Sequence, residues 1–167
     1  MGRRDWRSQG EGTLSEIRRP KDEELEELVI GIAAIQDPDV LRRYSQEVIE
    51  EISKPSNVGP ILDADGHGIA DGLCGDTMTM YVQLDGDIVE RCTFTTDGCG
   101  PTIACGSRLT KMVSGMKVGD AMRVSPDEVS GALGGLPEDH EHCAALAVLA
   151  LRNALRDSGA AGRGGRK

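Results

Sequence analysis

Three cysteines stand where sulfur chemistry is easiest to arrange. Cys74 opens the run Cys74-Gly75-Asp76, Cys99 lies in Gly98-Cys99-Gly100-Pro101, and Cys143 follows His142. They share no local spacing, yet each sits at a glycine-rich loop or an expected helix start. Two have a second donor type close by, the carboxylate of Asp76 and the imidazole of His142. Soft thiolates joined by one carboxylate and one imidazole form a metal-ligand inventory. Its members would have to be gathered from three distant parts of the chain.

Each residue also has a plainer reading. Cys99 precedes a helix whose free amides would favour thiolate over thiol, but it could equally be a small residue in a turn. Cys143 is near the start of the last helix, and the same electrostatics apply. His142 is its neighbour, so on a regular helix the two point about a hundred degrees apart and meet one ion only where the helix begins. Cys74 and Asp76 are two apart. On an extended strand entrance they would face the same side; alone, Asp76 would read as a loop carboxylate capping amides. Cys92 and Cys105 fall on expected core faces and read as small apolar residues. His67, between Gly66 and Gly68, reads as a solvated loop residue. His140 is a further donor, but Asp139 and Glu141 beside it point to a solvated surface.

The elements that must position these groups fit one domain with extra terminal material in 167 residues. The net charge of -9 argues against a general nucleic-acid binder, which would need a basic face. Aromatics are confined to Trp6, Tyr44, Tyr81 and Phe94, so Ala, Val, Leu, Ile and Met must build the core. The start, Met1 to Trp6, lacks the apolar run of a secretory signal. The apolar stretch Leu28 to Ile35 is too short to span a bilayer. The expectation is a cytoplasmic protein with no membrane partner. In a reducing cytosol, five cysteines read as metal or redox groups before disulfides.

Residues 1–20 are expected to be loosely attached, and residues 159–167 to form a flexible basic tail. Leu25, Leu28, Ile32 and Ile35 mark an additional helix over 21–36, stopped at Asp37-Pro38 so that the segment closes at 38. The functional domain is expected over 39–158. A helix from Asp39 to Ser53 carries the stripe Tyr44, Val48, Ile52. Residues 56–73 read as loop. Met78, Met80, Val82 and Leu84 alternate as a strand, turn at Asp85-Gly86, and pair with Ile88 to Thr95. Apolar matching favours a three-residue loop, with Met80 opposite Cys92 and Met78 opposite Phe94. Pro101 opens a helix with Cys105, Leu109, Met112 and Met116 on its stripe. Short helical turns follow at Val118 to Met122 and Pro126 to Leu133, the second capped by Ser125. The last helix, Asp139 to Asp157, is apolar nearly all round and must be deeply packed or face a partner.

No close Cys-x-x-Cys pair suggests a zinc knuckle. Three thiolates suit an iron–sulfur centre. A non-thiolate fourth ligand would hold it less firmly, as suits a protein that builds a cluster and hands it over.

From Tyr44 to Asn153 the chain resembles the U-type iron–sulfur cluster scaffold family (IscU and the N-terminal domain of NifU). The resemblance is carried by Tyr44-Ser45-Gln46-Glu47-Val48-Ile49-Glu50, Pro55-Ser56-Asn57-Val58-Gly59, Cys74-Gly75-Asp76, Gly98 to Ala104, Leu133 to Pro137 and His142-Cys143. It implies an α+β fold, a three-stranded antiparallel sheet with helices packed against it, to which the helix over 21–36 is an addition. It implies a site at one end made by Cys74, Asp76, Cys99, His142 and Cys143. The cargo would be a [2Fe-2S] cluster built from iron and sulfur delivered as persulfide by a cysteine desulfurase, then passed to apo iron–sulfur proteins. Cys143 would accept the persulfide sulfur and Asp76 would keep the cluster labile. Zinc could take the same site in the isolated protein, and a homodimer could form around the cluster. This would be a scaffold rather than an enzyme releasing a small product.

The chain departs from the better-known bacterial members in two places. Glu138-Asp139-His140 replaces the Pro-Val-Lys that an Hsp70-type chaperone recognises, so chaperone-driven release is expected to be weak. Cys105 stands where those relatives usually have serine. The alternative functions are a zinc-bound sulfur acceptor of the same fold, which His142 argues against, and a structural zinc protein acting through its last helix.

Overall fold

A computed structural model describes residues 38–160. The segment 1–20, the helix expected over 21–36 and the tail from 161 lie outside the described residues. The elements run α1 (Pro38–Arg43), α2 (Gln46–Ser53), β1 (Gly66–Asp71), β2 (Thr77–Asp85), β3 (Ile88–Thr96), α3 (Gly100–Val113), α4 (Val118–Ala121), α5 (Pro126–Ala132), a 3₁₀ turn (Glu138–His140) and α6 (Glu141–Asp157). The strands form one antiparallel sheet in the order β1-β2-β3. This is the expected α+β architecture.

One face of the sheet is dry. Met78, Met80 and Val82 of β2 and Val89, Cys92 and Phe94 of β3 are buried against α3 and α6. On β1 the dry face is Gly66, Gly68 and Ala70, while His67, Ile69 and Asp71 face out. The alternation is therefore that of a half-buried strand, with the apolar bulk missing from the inner positions. A Cβ on Gly68 would lie 2.1 Å from the Ala154 nitrogen and 2.5 Å from the Ala150 oxygen, so α6 rests directly on the strand's backbone. Reading 56–73 as loop is corrected for this reason: the inner residues are small because a helix occupies their space.

Three smaller corrections have equally local causes. The helix expected from Asp39 to Ser53 is two. Ser45 is extended (φ -62, ψ 161), its hydroxyl accepts from the Val48 amide at 3.1 Å and donates to the Leu133 carbonyl, and it thereby caps α2. The hairpin pairs Met80 with Phe94 and Val82 with Cys92, two residues beyond the expected register. The turn centres on Gly86-Asp87 instead of Asp85-Gly86, and a bulge beside Gln83 and Leu84 skips Glu90. Because the shift is even, the expected residues still face inward. Cys74 and Asp76 do not share an extended segment. Residues 72–76 form a tight loop closed by Gly72 N to Asp76 O (2.7 Å), and Gly75 turns it at φ +87.

The helices are tied in by side chains. Ser125 and Glu128 make the capping box of α5. Arg152 of α6 donates to the carbonyls of Met122 and Val124 at 3.2 and 3.1 Å, satisfying the end of α4. Buried Glu51 of α2 accepts from Ser107 (2.5 Å) and Lys111 (2.8 Å) of α3 and pairs with Arg108 at 3.1 Å. Among the described residues no helix is long and apolar enough to cross a membrane.

Candidate metal centre

Three connections converge at one end of the sheet. The β1–β2 loop brings Cys74 and Asp76, the β3–α3 junction brings Cys99, and the 3₁₀ turn into α6 brings His140, His142 and Cys143. Cys99 is the N-cap residue of α3, extended at φ -71 and ψ 176, and its side chain makes no cap hydrogen bond. The sulfur is thus free for other partners beside a helix start. Gly98 keeps this junction open, because a Cβ there would lie 2.8 Å from the Asp76 Oδ2.

The expected donors meet across the loops. Cys74 Sγ lies 3.2 Å from His142 Nε2, and the same nitrogen is 3.7 Å from Cys143 Sγ. The start of α6 therefore lets adjacent residues converge, as the helix geometry required. Asp76 has a different partner from Cys74: its Oδ2 accepts from Thr102 Oγ1 at 3.0 Å. That hydroxyl is also 3.3 Å from Cys143 Sγ and 3.5 Å from Cys99 Sγ. Buried Thr102, on the first turn of α3, is thus the bridge between the carboxylate and two of the sulfurs. It carries one proton to share among three acceptors, so its donation must be rearranged whenever one of them takes a metal.

Cys74 and Cys99 are exposed and Cys143 is fully buried. The hydrogen bond between Cys99 and Cys143 pulls the Cys99 thiol down to about 5 and, with burial adding to it, pushes Cys143 upward. The two shifts run in opposite directions, favouring thiolate at the exposed sulfur and thiol at the buried one. At Cys143 the neighbouring Cys99 and burial push upward, against the direction expected of a helix-start cysteine. Burial also pushes Cys92 and Cys105 up to about 12, as expected for core thiols.

Two residues were undervalued in the sequence. His140 is not a solvated surface group: its side chain is 21% exposed, and its Nδ1 is buried with no hydrogen-bond partner among the described residues. The ligand atoms of Cys99, His140 and Cys143 lie within 4.8 Å of one another. The acids that suggested solvent are otherwise engaged or peripheral, since Asp139 pairs with Arg43 at 2.7 Å. Thr102 had a usable signal in its spacing of three from Cys99, which puts its hydroxyl on the first helical turn. His67 stays outside this cluster, exposed and 3.4 Å from Asp157.

The donor set fits a borderline metal ion or an iron–sulfur centre. Three thiols, a carboxylate and two imidazoles are more donors than one tetrahedral ion uses, and one nitrogen is buried without a partner among the described residues. Such a surplus allows ligands to exchange.

Residues 43–160 match the family model described as the NifU-like N terminal domain. The iron-sulfur cluster assembly scaffold protein IscU 1 of Archaeoglobus fulgidus is 42% identical over 115 residues, which cover 68% of this chain and 75% of that protein. The iron-sulfur cluster assembly scaffold protein IscU of Aquifex aeolicus is 37% identical over 117 residues, covering 68% and 74%. Among solved structures, that of a nitrogen-fixing NifU-like protein (N-terminal) from Brucella abortus superposes with a TM-score of 0.53 at 17% identity, over 72% of this chain and 95% of that one. At that identity the likeness speaks for the fold.

Proposed function

Because the chain belongs to the family of NifU-like N-terminal domains, we propose that it is a scaffold on which iron–sulfur clusters are assembled for transfer to other proteins. The observation that carries this reading is the convergence of Cys74, Cys99 and Cys143 with Asp76 and His142 from three connections. In this reading the cluster is cargo, a [2Fe-2S] unit held by the three thiolates and by Asp76 or His142. Each cysteine binds iron as thiolate, its proton going to solvent, and Cys99 ionises most readily.

Sulfur arrives on the persulfide of a cysteine desulfurase. Cys143, as thiolate, attacks the outer sulfur; the donor's S–S bond breaks, a new one forms on Cys143, and the donor leaves as thiol. A separate electron donor then reduces that sulfane sulfur to sulfide. Since Cys143 is fully buried and its protonated form is favoured, the reaction requires the site to open around it and Cys143 to deprotonate. Exposed Cys74 is the rival acceptor. Mass spectrometry after a desulfurase reaction should find the added sulfur on Cys143, and sulfur confined to Cys74 or Cys99 would reassign the acceptor.

Asp76 supplies lability. A carboxylate is a harder ligand than thiolate and is displaced more readily. Its hydrogen bond from Thr102 offers it an alternative partner once it lets go of iron. The recipients are apo iron–sulfur proteins, and a cluster-bound homodimer fits the exposure of Cys74 and Cys99 at the surface. Zinc would occupy the same donors when iron is absent. The test is anaerobic reconstitution with ferrous iron, cysteine and a desulfurase, read by absorption and Mössbauer spectroscopy. Cys74→Ser, Cys99→Ser and Cys143→Ser should each abolish the chromophore, and Cys92→Ser and Cys105→Ser should keep it. A chromophore indifferent to the first three would overturn the reading.

A further inference from the structure

We propose that His140 is a metal ligand, and that through Nδ1 it joins Cys99 and Cys143 to hold a single divalent ion at the inner side of the site. The proposal rests on the scaffold reading only for its purpose: the ion would be the first iron, held before sulfur arrives.

Two independent observations place His140 in this role. The ligand atoms of Cys99, His140 and Cys143 lie within 4.8 Å of one another. Separately, Nδ1 of His140 is buried and unpartnered among the described residues, a state that is costly for an imidazole nitrogen unless something binds there. The other ring nitrogen has a charged neighbour. Nε2 sits 3.7 Å from the Asp139 carboxylate, and Arg43 holds that carboxylate at 2.7 Å. A carboxylate behind one imidazole nitrogen favours the proton there and leaves the lone pair on the other, the arrangement that orients histidine ligands towards metals. The ring also packs against Tyr44, with centroids 5.9 Å apart, which limits its rotation.

His140 and His142 divide the site between them. His142 Nε2 is drawn to Cys74, 3.2 Å away, while His140 shares a sphere with Cys99 and Cys143. Their rings are 6.3 Å apart, so they address different parts of the donor set. Two thiolates and an imidazole suit Zn²⁺ or Fe²⁺, with a fourth position left for water or a carboxylate. Both cysteines bind as thiolates, any remaining proton going to solvent, and no electron is transferred.

The test uses the full chain labelled with ¹⁵N-histidine and Zn²⁺ as the probe. Long-range proton–nitrogen correlation spectra report which ring nitrogen binds. With one equivalent of Zn²⁺, His140 Nδ1 should move to a metal-bound shift. That shift should survive in Cys74→Ser and His142→Ala, and vanish in Cys99→Ser. Competition with a chromogenic chelator should show zinc affinity falling by more than about 100-fold in His140→Ala and by roughly tenfold in Asp139→Asn, the ligand and its orienting partner. If Zn²⁺ binds while the His140 nitrogens keep their free shifts in the wild-type chain, the proposal is wrong. This outcome is read without any variant, so a misfolded substitution cannot obscure it. Failure of the scaffold reading would look different: His140 would ligate zinc, yet no cluster would form on reconstitution.

Discussion

The two ends of α6 are built on opposite plans. Its C-terminal half is clamped to β1 backbone to backbone, with Gly66 and Gly68 leaving no room for a side chain. The clamp is pinned by Asn153 Nδ2 donating to the Ile69 carbonyl at 2.9 Å and by the His67 amide donating to Asp157 at 3.0 Å. These bonds also cover part of the outer edge of β1, which would otherwise be open to pairing with another chain. Its N-terminal end, by contrast, meets its neighbours through sulfur contacts of 3.2 to 3.7 Å and leaves a buried imidazole nitrogen unpartnered among the described residues. One end uses up its bonding capacity in the fold; the other holds donors in reserve. A helix fixed at its far end can present reactive residues in a defined place while the loops around them rearrange.

That contrast breaks most sharply at Gly68. Gly68→Ala puts a methyl about 2 Å from the backbone of Ala154, where no rotamer can relieve it. The expected loss is at least about 3 kcal/mol, beyond ordinary overpacking, seen as a lowered urea midpoint or failure to fold. Full stability in that variant would mean that the clamp is not where the fold is decided.

Next in size is the link between α2 and α3. Glu51→Ala leaves the buried Ser107 hydroxyl without its acceptor while Lys111 and Arg108 can reach solvent, and should cost about 2 kcal/mol. Burial alone would raise the Glu51 carboxyl, but hydrogen bonds from Lys111 and Ser107 outweigh it and hold its pKa below the ordinary value. Its contribution is therefore full above the unfolded-state pKa and lost as pH falls through the lower, folded value. Urea titrations of wild type and Glu51→Gln should converge only under acid conditions.

At the site end, substitution should scarcely touch stability. Cys74→Ser should change the unfolding free energy by less than about 0.5 kcal/mol, as for an exposed side chain, while removing cluster binding. The smallest perturbation is one of pH alone. In the metal-free protein, Cys99 should alkylate with iodoacetamide at pH 6, where an ordinary thiol near 8.5 is largely protonated. The reactivity should fade as pH drops through about 5, while Cys92 and Cys105 stay unmodified. Mass spectrometry of the alkylated peptides reads this directly, and equal labelling of all three would remove the basis for an activated Cys99.

What could be read from the sequence follows the same division. Elements whose side chains fill the core were legible: Cys105 and Leu109 of α3, the Ser125 cap and the inward set Met78, Met80 and Val82 stand where periodicity put them, but α3 stops at Val113, so Met116 lies beyond the helix and Val113 takes the buried place expected of Met112. β1 was not, because its inner face is defined by absence of side chains, and glycine alternation resembles a loop. The hairpin register was off by an even step because a bulge has no apolar signature. Cysteines in glycine-rich settings announced themselves, and the loops bring their donors together. His140 did not, because flanking acids suggest solvent until Arg43, 96 positions away along the chain, is seen holding one of them.

The most direct test of the scaffold claim is cluster transfer. Wild-type protein carrying a reconstituted cluster should be mixed with an apo-ferredoxin in the presence of a strong iron chelator, and circular dichroism followed. The cluster should appear intact on the ferredoxin faster than the chelator captures iron, and more slowly from Asp76→Ala, which loses the labile carboxylate. Equal rates would shift the release role to His142. A cluster that stays on the protein, or reaches the ferredoxin only as iron the chelator can intercept, would contradict the scaffold function itself.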